Sequence, residues 1–378
     1  MNFLDGWTLD IRKIPKYEDI TGHIFTEQVD VTLLNMMNKK SSEKIEINNH
    51  KNNITIVLDN VNKKTGQLQV QYTSNYNGLG DLTPVNNISM LCSGDRTVRH
   101  TMFEYMGYKE IDINKAFITL MYEISLKNGI LLSSMKNYIT NYEEITDDII
   151  SYYKSYGINL VLKNKPKNDL VRHFLNCIYS GGTYKDFFVG NSNLLFKSPF
   201  GSSIEKNCLA KSTGIIERLN LSIKTIPPPH PFFENFIKEF NIFKKYVVDN
   251  NFHLMAYVDK KCPTINQNLK EIALVQIYRD TFIFNATANA YSFLVRHNVI
   301  PPYSALLQND SIIIPPIHPQ INMNQLSDQL NAYIYAKTGF HFVYKYKPWD
   351  MYSKKLIEER NNPWYVVWFN IQPLFRHA

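Results

Sequence analysis

Apolar residues crowd the short run from Tyr108 to Ile113, and beyond Asp112 the period changes. From Asn114 to Asn128, Ala116, Leu120, Met121 and Ile124 recur at helical spacing, with Gly129 placed to end the helix. The pattern predicts a strand that ends at Asp112 and feeds a helix. Much later, Tyr303 to Pro315 carries two apolar runs joined by Gln308, Asn309, Asp310 and Ser311, a hairpin signature with Asp310 at the turn. Ahead of it, Ile283, Ala286, Ala290 and Leu294 keep one apolar stripe, which predicts a long helix from Leu269 to Val295. Behind it, Leu326, Leu330, Tyr333 and Ile334 predict a helix over Asn324 to Lys337 stopped by Gly339, then a strand over Phe340 to Tyr346.

Residues 130–290 read as largely helical, broken at Lys163–Lys167 and at the proline run Ile226–Pro231, which separates two helical subunits. Near the N-terminus, Ile54, Ile56 and Leu58 alternate, as do Leu68, Val70 and Tyr72. With the turn-forming Asn60–Gly66 segment between them, this predicts a hairpin. Lys39–Lys44 and Asn48–Asn53 read as polar surface loops. No internal repeat is visible.

A chain of 378 residues with 44% hydrophobic and 13% aromatic residues has material for a core and for two or three domain-sized units. No run of eighteen apolar residues occurs, and Met1–Gly6 lacks the basic-then-apolar order of a signal peptide, so the expected compartment is intracellular, with no membrane partner. Cys92, Cys177, Cys208 and Cys262 are scattered without a Cys-x-x-Cys pair, which argues against a zinc site or a disulfide framework. A net charge of +7 suits a polyanionic partner without requiring one. The richness in Asn, Lys, Ile and Tyr fits an AT-rich genome, as in many viruses and mobile elements. No Gly-x4-Gly-Lys-Ser/Thr loop supports an ATPase core, and His230, His253 and His318 lack metal-ligand spacing.

The chemistry worth weighing is the pair Asp112 and Asp310. Taken singly, an Asp after a strand is commonly a helix cap and an Asp in a hairpin commonly forms the turn. Taken together at the ends of apolar strands, they are what nucleotidyl transfer needs: two divalent ions about 3.5–4 Å apart demand carboxylates that converge on one spot. Between them lies Arg172-His173-Phe174-Leu175-Asn176-Cys177-Ile178-Tyr179-Ser180-Gly181-Gly182, where Arg172, Asn176 and Tyr179 share one helical face.

These three segments resemble, in the correct order, the motifs of palm-type nucleic-acid polymerases. Glu110 to Phe117 looks like the first motif, in which a bulky residue follows the Asp by five positions. Arg172 to Gly182 is similar to the fingers-helix motif, and Gln308-Asn309-Asp310-Ser311 to the metal-binding hairpin. Parts of the wording resemble family B. The short interval from Asp112 to Arg172 and the long one to Asp310, with Arg96-Thr97-Val98-Arg99 and Gly181-Gly182, match best the transposon-and-virus polymerases related to family A. The sequence departs from the pattern where Arg172 replaces Lys, Ser180 replaces Gly and Gln308 replaces His or Asp. The first keeps a positive fork for phosphate; the other two leave open a slow or degenerate enzyme.

The resemblance implies an α+β right-hand polymerase with an antiparallel palm sheet, helical fingers and a small N-terminal accessory or thumb-like region. Its divisions would be 1–95 (accessory), 96–130 (palm, first part), 131–298 (fingers), 299–350 (palm, second part) and 351–378 (C-terminal extension). Asp112 and Asp310 would hold two Mg²⁺ ions, with Mn²⁺ as a substitute, and Arg172 would act on the incoming triphosphate. Asn176, Tyr179 and Phe117 would complete the nucleotide site, with Phe117 selecting against a 2′-hydroxyl. Arg96, Arg99, Lys163, Lys165 and Lys167 would contact nucleic-acid phosphates, or else form a solvated basic face. The expected partners are a DNA template-primer, nucleoside triphosphates and a separately supplied helicase or other replication proteins; a virus would place it in the host cytoplasm or a replication compartment. No acidic exonuclease triad precedes Asp112, so no proofreading is expected. The alternative is a non-catalytic nucleic-acid-binding replication factor on a degenerate polymerase fold.

Overall fold

The change of period at Asp112 marks a change of element: Lys109–Ile113 is a strand and Ala116–Lys127 a helix. The computed structural model describes residues 20, 22–41, 48–76, 79–92, 96–163, 166–195, 209–222, 225–308, 310–349 and 352–362. In chain order the elements begin β1 (Ile24–Gln28), α1 (Val31–Ser41), α2 (Asn48–Asn60), β2 (Gln67–Tyr76), β3 (Leu79–Pro84), α3 (Arg96–Tyr105), β4 (Lys109–Ile113) and α4 (Ala116–Lys127). A mainly helical stretch follows: α5 (Ser133–Thr140), α6 (Tyr142–Ser155), α7 (Asp169–Tyr179), α8 (Tyr184–Val189), β5 (Asn191–Leu195), β6 (Leu209–Ser212), α9 (Ile215–Arg218), α10 (Pro231–Asn250) and α11 (Phe252–Lys261). The chain continues with α12 (Gln267–Arg296), β7 (Leu306–Leu307), β8 (Ser311–Ile314), α13 (Met323–Thr338), β9 (Tyr344–Lys347) and α14 (Lys354–Asn361). The fold is mixed α and β, with antiparallel pairing in the sheets β7-β8-β4-β9 and β5-β6 and between β1 and β2.

The chain divides into two compact units. One comprises residues 1–15, 75–80 and 115–282; the other comprises 16–74, 81–114 and 283–378. The boundary between Asn114 and Lys115 therefore separates β4 from α4. In the second unit, the four-stranded sheet is assembled from segments far apart in sequence. β4 is central: Ile111 pairs with Ile312 on one side and with Tyr346 on the other. Ile111, Ile113, Ile312, Ile313, Ile314 and Tyr344 are buried, which is why this part of the sequence reads as nearly continuous apolar runs rather than strict alternation.

Three expectations need correction. Ile54 to Leu58 is not a strand but the second half of α2, where Ile54, Val57 and Leu58, and Val61 just past its end, are all buried at helical spacing. Over five residues that period passes for alternation. The alternation of Leu68, Val70 and Tyr72 is real, but β2 finds its partner in β1, with Phe25 opposite Val70. Asn48–Asn53, expected as a loop, is helical, and Lys39–Ser41 ends α1, while 42–44 lie outside the described residues. The third concerns Phe340–Tyr346: Phe340 and Phe342 are buried in strand-like alternation, yet the ladder starts only at Tyr344, opposite Ile113, because β4 ends there. The mainly helical stretch also contains the hairpin β5-β6, which the sequence reading did not include.

Glu27 on β1 occupies an inward position between Phe25 and Val29 and is buried. Its carboxylate accepts from the Ser89 hydroxyl at 2.6 Å and from the Met90 N–H at 2.8 Å. Burial nevertheless dominates and pushes its pKa from 4.5 up to about 7. Because the folded chain then binds a proton more tightly than the unfolded chain, Glu27's contribution to stability is fully present below pH 4.5 and is lost as pH rises through about 7. Urea unfolding of wild type and Glu27→Gln at pH 5 and pH 8 should therefore show the wild type losing ground to the variant at the higher pH. A constant difference between the two would reject this account.

Candidate active site

In the second unit the register of the four-stranded sheet brings Asp112 and Asp310 together. Asp112, on β4, pairs with Ser311, the first residue of β8, and the carbonyl of Asp310, the residue just before β8, accepts the Ile113 N–H at 2.8 Å, so the backbones of the two aspartates are neighbours. Such strands lie about 5 Å apart. Asp310 sits at the β7-β8 turn, which Gln308 closes by donating its N–H to the Ser311 carbonyl at 2.9 Å while its side-chain oxygen accepts from the Ser311 hydroxyl at 3.2 Å. Both carboxylates act on one buried phenol: burial first, then the charges of Asp310 and Asp112, raise the Tyr344 hydroxyl well above its ordinary value.

A cation already occupies part of this negative spot. The Lys347 ammonium donates to Asp112 Oδ2 at 2.8 Å and to Glu110 Oε1 at 3.3 Å, since Glu110 and Asp112 lie two apart on one face of β4 and Lys347 faces Glu110 across the ladder. Burial drives the Glu110 carboxyl upward, with Lys347 pulling it down and Asp112 pushing it up. For Lys347 burial works against the charge, but Asp112 and Glu110 outweigh it and raise its pKa. Asp112 keeps 22% of its side chain exposed. Among the described residues no group of three or more His, Cys, Asp and Glu side chains converges as a metal site. The donors present around Asp112 and Asp310 are carboxylate and hydroxyl oxygens, the hard ligands that suit Mg²⁺. Their chemistry fits that ion.

The other unit holds the remaining motif residues. Lys115, at the start of α4, adopts left-handed backbone geometry (φ 53°) that few non-glycine residues take up. Its ammonium donates to the carbonyls of Tyr138 and Ile139 at 3.2 and 2.8 Å, capping the end of α5, and lies 3.9 Å from the Tyr142 ring centroid. Two residues on, half-buried Phe117 meets Tyr179 of α7, with ring centroids 4.3 Å apart. Residues 62 positions apart are thus joined. Tyr179 is 8% exposed and packs also on Phe236 and Phe240. Its hydroxyl is buried without a hydrogen-bond partner, and burial holds its pKa well above the ordinary value.

Arg172 and Asn176 share the exposed side of α7, whereas Phe174, Cys177 and Ile178 face the core, Phe174 stacking on Phe233 at 3.8 Å. Arg172 lies near the phenols of Tyr138 and Tyr142: burial pushes Tyr138 up to about 12 and the guanidinium opposes that rise. Gly181 and Gly182 have a backbone reason to be glycine. Gly181 is left-handed (φ 87°), and a Cβ on Gly182 would come within 2.9 Å of the Cys177 carbonyl oxygen. The pair ends α7 rather than cradling phosphate.

The candidate phosphate contacts divide between the two units. Arg96 is exposed, with its Nε 3.3 Å from His100 Nε2, and half-buried Arg99 donates to the Leu91 carbonyl at 3.3 Å. Lys163 is exposed, Lys167 pairs with Asp147, and Lys165 lies outside the described residues. Sequence reasoning missed Lys347 and Arg279. Arg279, on α12, places its guanidinium carbon 5.0 Å from the Phe117 ring centroid. The alternation Tyr344-Lys345-Tyr346-Lys347 was a signal for the first; a lone Arg in a long amphipathic helix gave none for the second.

No family model matches this chain, and no curated protein does. Among solved structures it is similar to the POL domain of Pol1 from M. smegmatis in complex with DNA primer-template and dNTP, at 11% identity and a TM-score of 0.44. The likeness covers 85% of this chain and 56% of that one. No helix among the described residues is long and apolar enough to cross a membrane.

Proposed function

We propose that this chain carries out template-directed nucleotidyl transfer as a palm-type DNA polymerase, of viral or mobile-element origin. The observation that carries the reading is that Asp310, in the turn before β8, lies beside the end of β4 that carries Asp112, and that both charges act on Tyr344, although about two hundred residues separate them in the chain. In this reading residues 96–130 and 299–350 form the palm and 131–298 the fingers.

Asp112 and Asp310 are the residues that would hold Mg²⁺ (or Mn²⁺), with Glu110 and Ser311 beside them. When bound, the ions lower the pKa of the primer 3′-hydroxyl and neutralise charge growing on the α-phosphate. Lys347, tied to Asp112 and Glu110, fixes the direction of the Asp112 carboxylate. In the other unit taken by itself, Arg172 is exposed on α7 with Asn176 one turn away, and Phe117 packs against Tyr179; in this reading the planar guanidinium is assigned to the triphosphate and the aromatic pair to the sugar. Arg96, Arg99 and the lysines near 163–167 supply sequence-independent contacts to DNA phosphates.

Extension of a primed DNA template by the purified chain with Mg²⁺, and its loss on chelation, is the expected result. The Lys347–Asp112 contact favours one second reading, a replication factor whose carboxylates are neutralised by an ammonium. Salt-sensitive binding of primed DNA with no extension in Mg²⁺ or Mn²⁺ would establish that reading instead.

A further inference from the structure

We infer that Arg279 is a positioning residue that holds the Phe117 ring in place and so sets discrimination between deoxy- and ribonucleotides; this rests on the reading of Phe117 as the sugar-facing wall. Phe117 lies on the first turn of α4 and is only half-buried, so packing by itself leaves its ring freedom to turn. Two neighbours remove that freedom. On one side is Tyr179, itself wedged by Phe236 and Phe240, at a centroid distance of 4.3 Å and a tilt of 56°. The other contact is the Arg279 guanidinium, 5.0 Å from the centroid and inside the range where a cation is attracted by an aromatic face.

The guanidinium is itself anchored. Its Nε donates to Asp280 Oδ1 at 2.6 Å, and Asp280 is a buried residue of α12. A carboxylate held in the core thus fixes a cation at the core's margin, and the cation fixes a ring that a substrate sugar would meet. The unpartnered Tyr179 hydroxyl supports the same picture, since its burial is costly and the contact with Phe117 is made by its ring. A wall that excludes a single hydroxyl group depends on small displacements, which is where a fixed neighbour matters.

The test is single-nucleotide incorporation of matched deoxy- and ribonucleotides by wild type, Arg279→Lys and the double variant Arg279→Met/Asp280→Asn, which removes the buried charge of Asp280 together with the guanidinium that faces it. The ratio of kcat/KM values should fall by about 3- to 10-fold in the double variant, the size of one cation–aromatic contact. Arg279→Lys should keep most of the discrimination, because an ammonium retains the attraction. In a Phe117→Ala background the Arg279 change should leave the ratio where Phe117→Ala put it. Equal losses of kcat/KM for both substrates with an unchanged ratio would overturn the inference and mark Arg279 as a triphosphate contact or a purely structural group. If the double variant does not fold, Arg279→Gln replaces it and the same ratio decides. A wild type that extends no primer would overturn the polymerase reading and this inference with it, an outcome the wild-type control separates from an unchanged ratio in an active enzyme.

Discussion

Asp112→Asn is expected to lower kcat for primer extension by about 10³-fold or more while leaving the chain folded. Losing a metal-holding carboxylate removes several kcal/mol of transition-state stabilisation, at about 1.4 kcal/mol per factor of ten. Folding should survive because Asp112 is partly exposed and Lys347 keeps Glu110 as a partner. Asp310→Asn should behave alike, since the Asp310 contact to Ile113 is made by the main-chain carbonyl, which the substitution retains. Binding of primed DNA at low salt should change little in either variant if, as proposed, its affinity comes from phosphate contacts elsewhere. Near-wild-type extension by folded Asp112→Asn would remove that residue from the catalytic centre.

Phe117→Ala is expected to shift sugar preference toward ribonucleotides by about 10- to 200-fold in the ratio of kcat/KM values, the scale on which a cavity wall discriminates small groups. Deleting a fully buried Phe costs about 3–5 kcal/mol; Phe117 is half-buried, so its loss should cost less and leave a folded protein. The two roles of this residue make different demands on the experiment. As a core aromatic it would show mainly in urea unfolding, with the ratio untouched. A wall for the sugar shows in the ratio, with deoxynucleotide incorporation persisting.

The strand-to-helix step at Asp112, the hairpin at Asp310, the helix through Arg172 and the long helix near Leu269–Val295 were legible because each rests on local periodicity and on turn residues. Where the sequence misled, the window was too short or the partner too distant. Ile54, Ile56 and Leu58 alternate over five residues, yet the buried set is Ile54, Val57, Leu58 and Val61, and only the packing of α2 distinguishes the two. Phe340 and Phe342 alternate as a strand would, but a ladder needs a neighbour, and β4 stops at Ile113.

The sequence by itself determined the order of the elements, the acidic residues at a strand end and a hairpin turn, and the apolar stripes that bury α7 and α12. These follow from backbone and side-chain preferences acting within a few residues. Tertiary structure decided what those residues meet: that Asp112 has Ser311 and Lys345 as ladder partners and Lys347 as its ion pair, and that Phe117 lies between Tyr179 and Arg279. Those contacts join segments separated by tens to hundreds of residues, and their geometry follows from sheet register and helix packing, which only the whole chain's burial of its apolar surface can fix.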